Sequence, residues 1–145
     1  MVHQKLYQET KYSEDLYVNE YLDTLLQHIE GLFDKNISIE RSIDSIIMDM
    51  QTITSIGIVV NELVNNAYKH AFQGVEEPKI AVAFTKAKSG YRLTVSDNGV
   101  GSANDVRDNQ GSSFGLKLVQ LIQKQLNAKL IIDQMSPGVS VSLRF

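Results

Sequence analysis

The sequence predicts an α+β domain, a two-layer α/β sandwich in which a mostly antiparallel mixed sheet carries its helices on one face. Two observations lead there. Stretches such as "KIAVAFT", "YRLTVSD" and "GVSVSLRF" alternate apolar with polar residues, as strands with one buried face do, and between them lie segments whose apolar residues recur every three or four positions. The length, 145 residues, is near the commonest size for one domain and suffices for one substantial core.

Taken in order, "YVNEYLDTLLQHIEGLF" places Val18, Leu22, Leu25, Leu26, Ile29, Leu32 and Phe33 on a helical stripe, with Asn19 as its expected cap and Glu20 in the first turn. "NISIERSI" sets Ile37, Ile39 and Ile43 against polar neighbours and predicts a half-buried strand, interrupted once by Arg41. Helical period returns from about Thr52 to Phe72. After the loop-like "QGVEEP", the two strands "KIAVAFT" and "YRLTVSD" are joined by "KAKSG" and predict a hairpin. A polar, Gly-rich tract runs from Asn98 to Ser113; a compact domain keeps a structureless stretch this long when it is functional or mobile. "FGLKLVQLIQKQLN" is a further helix, with Leu116, Leu118, Val119, Ile122 and Leu126 on its stripe, and the strands "KLIIDQ" and "GVSVSLRF" close the chain.

Composition removes several function classes. Fourteen Lys+Arg against 17 Asp+Glu give a net charge of -3, and no basic run in the sequence would follow a phosphate backbone, so nucleic acid is not an expected partner. There are no cysteines, and His3, His28 and His70 are too scattered for zinc. No apolar run approaches the roughly 18 residues that span a bilayer, and the start lacks a signal-peptide core. A soluble, intracellular chain is expected, one that fits a piece cut from something larger.

"NELVNNAYKHAF" carries a dense polar stripe within an amphipathic helix. With Glu62 at 0° on the helical wheel, Asn66 falls at about 40°, Lys69 at about 340° and His70 at about 80°, while Val60, Leu63, Val64, Ala67 and Ala71 occupy another side. Core packing explains only that other side. A carboxylate, an amide oxygen and an ammonium in line suit a magnesium polyphosphate, since Mg²⁺ takes hard oxygen ligands and shares its shell with phosphate. A solvated, Asn-rich helix face has the same composition.

In "YRLTVSDNGVG", Tyr91, Leu93 and Val95 share one parity and Asp97 continues it, so the carboxylate is expected to point toward the core. Buried there it needs a donor, and an adenine amino group would serve. Gly99 and Gly101 suit a sharp turn or a planar ligand lying on the backbone; an ordinary Asp-Asn-Gly turn would also read this way. In "QGSSFGLKLVQLI", Gly111 and Gly115 flank two serines just before a helix, which suits a phosphate at a helix N-terminus or a plain Ser cap. The Lys-Ser/Thr pair of a P-loop is absent.

In this order and spacing the three elements resemble the ATP-binding catalytic (GHKL, Bergerat-fold) domain of sensor histidine kinases, within the superfamily that includes gyrase, Hsp90 and MutL. "NELVNNAYKHAF" looks like the N box, "DNGVG" like the first glycine box and "GSSFGLKLVQLI" like the second, over roughly Asn36 to Phe145. "VHQKLYQ" followed by "VNEYLDTLLQHI" is similar to the second HisKA type, related to the HWE kinases. That resemblance implies that residues 1–17 are the end of the dimerisation and phosphoacceptor helical hairpin with its linker, and residues 18–145 the catalytic domain.

The resemblance also implies roles. Asn66 would coordinate Mg²⁺, for which Glu62 is also a matching hard oxygen donor by its residue type, and Glu62 would polarise or deprotonate an acceptor imidazole. Lys69 and His70 would contact phosphates. Asp97 would accept the adenine amino hydrogen, Gly99 and Gly101 would shape the base pocket, and Gly111, Ser112, Gly115 and Leu116 would hold the lid and phosphates. It implies a two-component transferase using ATP, a helical phosphoacceptor domain as partner, a downstream response regulator, and a cytoplasmic site even if a parent protein is membrane-anchored. Two departures stand out. Gly138-Val139 replaces the usual Gly-Thr pair, and neither His3 nor His28 fits the acceptor position, so the chain is expected to bind ATP yet autophosphorylate poorly alone. The rivals are an anti-sigma-type serine kinase or ATPase of the same superfamily, and a noncatalytic module that keeps the fold.

Overall fold

The alternating segments all become strands of one sheet. The structure, a computed structural model, describes residues 15–33, 37–72, 74–100 and 114–145. In chain order these form β1 (Asp15–Tyr17), α1 (Val18–Leu32), β2 (Ile39–Ile43), β3 (Ile47–Asp49), α2 (Met50–His70), β4 (Ile80–Lys86), β5 (Tyr91–Asp97), α3 (Phe114–Gln125), β6 (Lys129–Gln134) and β7 (Val139–Arg144). The main sheet has the order β2-β4-β5-β7-β6, parallel at β2-β4 and antiparallel elsewhere, which is the mixed sheet expected.

Register explains the two layers. Ile80, Val82 and Phe84 on β4 pair with Asp97, Val95 and Leu93 on β5, which pair in turn with Val139, Val141 and Leu143 on β7. These apolar side chains are buried against Val18, Leu22, Leu26 and Ile29 of α1, Ile53, Ile56, Val60 and Val64 of α2, and Val119 and Ile122 of α3. Each such side chain contributes roughly 1.5–3 kcal/mol by leaving water, so the one-sided stripe fixes which face of the sheet the helices cover. α3 stops where Asn127 takes a left-handed φ of 53° and its N–H donates to the Lys124 carbonyl, a turn that amide side chains tolerate.

Two local expectations are corrected, and one element is new. Asn19 does not cap α1: Tyr17 occupies the cap position in extended conformation, and the Val18 N–H donates to the Ile46 carbonyl at 2.9 Å. Strand pairing thus satisfies the helix end, and Asn19 Oδ1 is buried without a partner among the described residues. The long helix begins at Met50 and ends at His70, earlier at both ends than its apolar period suggested. Finally, β1 and β3 form a separate two-stranded antiparallel sheet, Asp15 opposite Asp49 and Tyr17 opposite Ile47, that periodicity cannot show in runs of three residues.

Arg41, the interruption in β2, faces the helices and is compensated there. Its guanidinium meets Asp23 at 3.1 Å and Glu30 at 2.7 Å, both on α1, while the second Glu30 oxygen accepts the Ile39 N–H at 3.1 Å. Burial would raise the Glu30 carboxyl, but the Arg41 hydrogen bond, the Ile39 N–H and the Arg41 charge together hold it below the ordinary carboxylate value. A lowered folded value means that its contribution is fully present above the unfolded pKa and is lost as pH falls through the folded one. Arg41→Ala is expected to cost about 1 kcal/mol, the group being part-exposed, and to flatten that acid-side loss. Urea denaturation at several pH values checks it; unchanged stability at neutral pH would contradict the clasp.

Candidate functional site

The polar stripe lies on α2, and its orientation follows from what α2 buries. Leu63, Val64, Ala67 and Tyr68 are buried, Tyr68 donating from its hydroxyl to the Ile37 carbonyl at 3.0 Å and stacking on Phe33 with ring centroids 4.4 Å apart. With that flank fixed, Asn61, Glu62, Asn65 and Asn66 are left half-buried and Lys69 and His70 exposed. Asn65 donates to the Asn61 side-chain oxygen at 3.1 Å, so those two amides satisfy each other one turn apart. No side-chain hydrogen bond or ion pair joins Glu62 or Asn66 to another described residue. They are hard oxygen donors, four residues apart on one face, open to a ligand.

Asp97 ends β5 with the parity its sequence gave: Leu93 and Val95 before it are buried and it is half-buried, between Ile80 on β4 and Val139 on β7. Its Oδ1 accepts the Gly99 N–H at 2.8 Å. Burial pushes the carboxyl above its ordinary value, and the backbone N–H groups of Gly99 and, less strongly, Val139 nearby partly offset this. The result is a half-buried carboxylate held by the Gly99 N–H, with acceptor capacity left over.

What brings the carboxylate to the stripe is the loop after it. The Val100 N–H donates to the Ala71 carbonyl, the cap of α2, at 2.7 Å. Gly99 lies so close that a Cβ there would come 2.3 Å from that carbonyl oxygen and 2.5 Å from the Ala71 Cβ. Asn98 ties a second segment: its Oδ1 accepts the Lys79 N–H at 2.7 Å and its Nδ2 donates to the Glu77 carbonyl at 2.8 Å. Behind Asp97, Gly138 has φ +105° and leaves no room for a Cβ beside the Asp97 carbonyl. The first glycine therefore serves a close backbone contact. Gly99→Ala is expected to lower unfolding free energy by about 1–3 kcal/mol in urea denaturation, and a change below about 0.3 kcal/mol would show that the contact is not needed.

Of the residues singled out from sequence, Glu62, Asn66, Lys69 and His70 lie on the C-terminal half of α2, and Asp97 and Gly99 at the end of β5, which Gly99 and Val100 join to Ala71 at the end of α2. Gly115 and Leu116 fall in the first turn of α3, which packs on α2. Gly101, Gly111 and Ser112, with most of the Asn98–Ser113 tract, lie outside the described residues, as does His3; His28 is exposed on α1. Sequence reasoning named Gly138 only as part of the Gly138-Val139 pair and Asn98 only as a turn residue, and missed the contacts that these two and Ala71 make. Asn98 carried a readable signal, an amide beside Gly99 at a strand end. Ala71 and Gly138 act through backbone and carry none.

Among the described residues no three His, Cys, Asp or Glu side chains group to hold a metal, and no helix is long and apolar enough to cross a membrane. A divalent ion here would take one or two protein oxygens and the rest from a ligand or water, which is how Mg²⁺ binds beside phosphates. The Glu62 and Asn66 donor set fits that use.

Comparison with known proteins follows the same lines. The family described as "Histidine kinase-, DNA gyrase B-, and HSP90-like ATPase" matches residues 51–145. The sensor histidine kinase PdtaS of Mycobacterium tuberculosis is 27% identical over 136 residues, covering 90% of this chain and 27% of its own length. Blue-light-activated histidine kinase 2 of Erythrobacter litoralis is 25% identical over 122 residues, 81% of this chain and 34% of its own. The chain thus spans about a third or less of these relatives. The solved histidine kinase domain of the Erythrobacter litoralis EL346 blue-light-activated kinase superposes with a TM-score of 0.80 at 24% identity, covering 88% of this chain and 64% of that one, which shows a shared fold.

Proposed function

Because the chain belongs to the histidine kinase-, DNA gyrase B- and HSP90-like ATPase family, we propose that it is the ATP-binding catalytic domain of a two-component sensor histidine kinase. It would transfer the γ-phosphoryl of ATP to a histidine on a separate helical domain. The observation that carries this reading is the placement of Asp97: a half-buried, main-chain-anchored carboxylate whose following loop is bonded to the end of the helix bearing Glu62, Asn66 and Lys69. A base-recognising acceptor and a phosphate-facing polar stripe are thereby joined in one site, and the two curated relatives are histidine kinases.

In this reading Asp97 accepts the adenine amino hydrogen, and Gly99 with Gly101 lets the base lie against backbone. Gly111, Ser112, Gly115 and Leu116 hold phosphates and lid at the start of α3, where the helix dipole favours anions. Lys69 and His70, exposed on the last turn of α2, offset phosphate charge. Glu62 and Asn66 would hold Mg²⁺, which supplies charge neutralisation of the polyphosphate when bound. Glu62 also accepts, or orients, the proton of the attacking imidazole. The in-line transfer asks the protein mainly for positioning and electrostatic stabilisation, which these groups offer without a covalent intermediate.

Residues 1–17 would be the end of the helical hairpin and linker and 18–145 the catalytic domain, with that hairpin and a response regulator as partners in the cytoplasm. Asp97 is anchored by the Gly99 N–H, a bond that does not need the usual threonine; a water-bridged hydroxyl contact to the base is lost with Val139. Calorimetric titration of the chain with ATP and ADP, with and without Mg²⁺, tests the reading. Saturable binding strengthened by Mg²⁺ is expected. No binding would move the assignment to a noncatalytic module of the fold, and an acid-stable phosphoprotein product would move it to a serine kinase.

A further inference from the structure

The face of the main sheet turned away from the helices has a charge order that the proposed reaction does not use. Residues of one parity lie there in three rows across the strands. One row is cationic: Lys129 on β6 pairs with Arg144 on β7, which pairs with Arg92 on β5. All three are exposed, and no ion pair among the described residues involves any of them. The middle row is short and mostly polar: Ile131, Ser142, Thr94, Ala83 and Ser42. Ser142 is only 2% exposed, and its hydroxyl and that of Thr94 bond to each other at 3.0 Å, so this strip needs no water or partner of its own. The third row runs Asp133, Ser140, Ser96, Ala81, Glu40, with an acid at each end.

Like charges directly opposite on neighbouring strands destabilise a sheet, so Lys129, Arg144 and Arg92 are a cost to the free domain. Anions set at the strand spacing, about 4.8 Å, would reverse it. Carboxylates three and four apart on a helix are about 5–6 Å apart, which nearly matches that spacing. We infer that this face docks an acidic helix of a protein partner, laid across β6, β7 and β5 so that Asp or Glu side chains at i, i+4 and i+7 pair with Lys129, Arg144 and Arg92. The short middle row lets the helix approach the sheet. The acidic third row repels the extended anionic surface of a membrane or a nucleic acid, and Ile131 is the one large apolar residue of the three rows that could enter a bilayer.

The test uses the full chain and a labelled Ala-rich helical peptide with Glu at i, i+4 and i+7, alongside its Gln counterpart. Binding is expected only for the Glu peptide, at least ten-fold weaker when salt rises from about 50 to about 300 mM, and at least ten-fold weaker for Arg92→Gln/Lys129→Gln/Arg144→Gln. That variant relieves repulsion and should keep its circular dichroism; Arg144→Gln alone, with a smaller loss, serves if the triple variant does not fold. Amide shifts should concentrate on β5, β6 and β7. Equal binding of the Gln peptide, retained binding by the triple variant, or preference of the cationic row for phosphatidylserine vesicles or duplex DNA over the peptide would overturn the proposal.

Discussion

Asp97→Asn is expected to remove ATP binding while leaving the fold as stable as before or more so. The substitution keeps an oxygen to accept the Gly99 N–H, so the loop on Ala71 has no reason to move. It replaces the acceptor on the other side with an amide that can present its own donors to the adenine amino group. Losing a hydrogen bond to a charged acceptor costs about 1.5–3 kcal/mol, or roughly ten- to a hundred-fold in affinity, and a donor facing a donor adds to it. Calorimetry reads this directly, and an affinity within about three-fold of wild type would remove Asp97 from base recognition.

The same variant carries a second readout through pH. Burial raises the Asp97 carboxyl, the two N–H groups only partly offsetting it, so the folded state holds this proton more tightly than the unfolded chain does. As pH climbs from the unfolded value through the raised folded one, this carboxylate costs the ligand-free protein stability, and above the folded value the cost is complete. Asn has no such dependence. The stability difference in favour of Asp97→Asn should therefore grow over that interval and then level off. Together with lost binding, that pattern marks a group kept for its ligand at the fold's expense.

Glu62→Gln is expected to do the reverse of an affinity mutation. Gln keeps the length and an oxygen donor at the position but cannot take a proton, so ATP affinity should stay within about three-fold while phosphoryl transfer falls by roughly 10²–10⁴, the usual scale of a lost general base. The measurement needs an acceptor helix supplied with the chain and is scored as acid-labile phosphohistidine. Asn66→Ala provides the contrast, losing the Mg²⁺-dependent part of binding. If Glu62→Gln transfers at the wild-type rate, the carboxylate is a bystander and the stripe serves binding alone.

How much of this was readable beforehand depends on how local the signal is. The α2 stripe and the Asp97 parity were legible because helix and strand periods are properties of a dozen residues or fewer, and the structure keeps both. Arg41 was visible as a misfit, but its answer lies on another element, in Asp23 and Glu30. Asn19 misled because its type favours caps, whereas tertiary pairing of Val18 with Ile46 had already closed the helix end. Gly138 and Ala71 matter through backbone approach, which side-chain chemistry does not encode. The row of Lys129, Arg144 and Arg92 joins the last two strands to β5, more than thirty residues earlier, and only their register brings the charges together.

The small β1–β3 sheet has a mechanical consequence. Asp15 lies opposite Asp49, and Met50 begins the helix that carries Glu62 twelve residues later, about 18 Å along its axis. Asp15 to Tyr17 are therefore fastened to the strand that leads straight into the root of that helix. The two facing carboxylates, Asp15 and Asp49, make this pairing weakest at the Asp15 end. β1 is thus one strand pair away from the helix that bears Glu62, Asn66 and Lys69, so the stability of a three-residue pairing and the setting of that helix are linked.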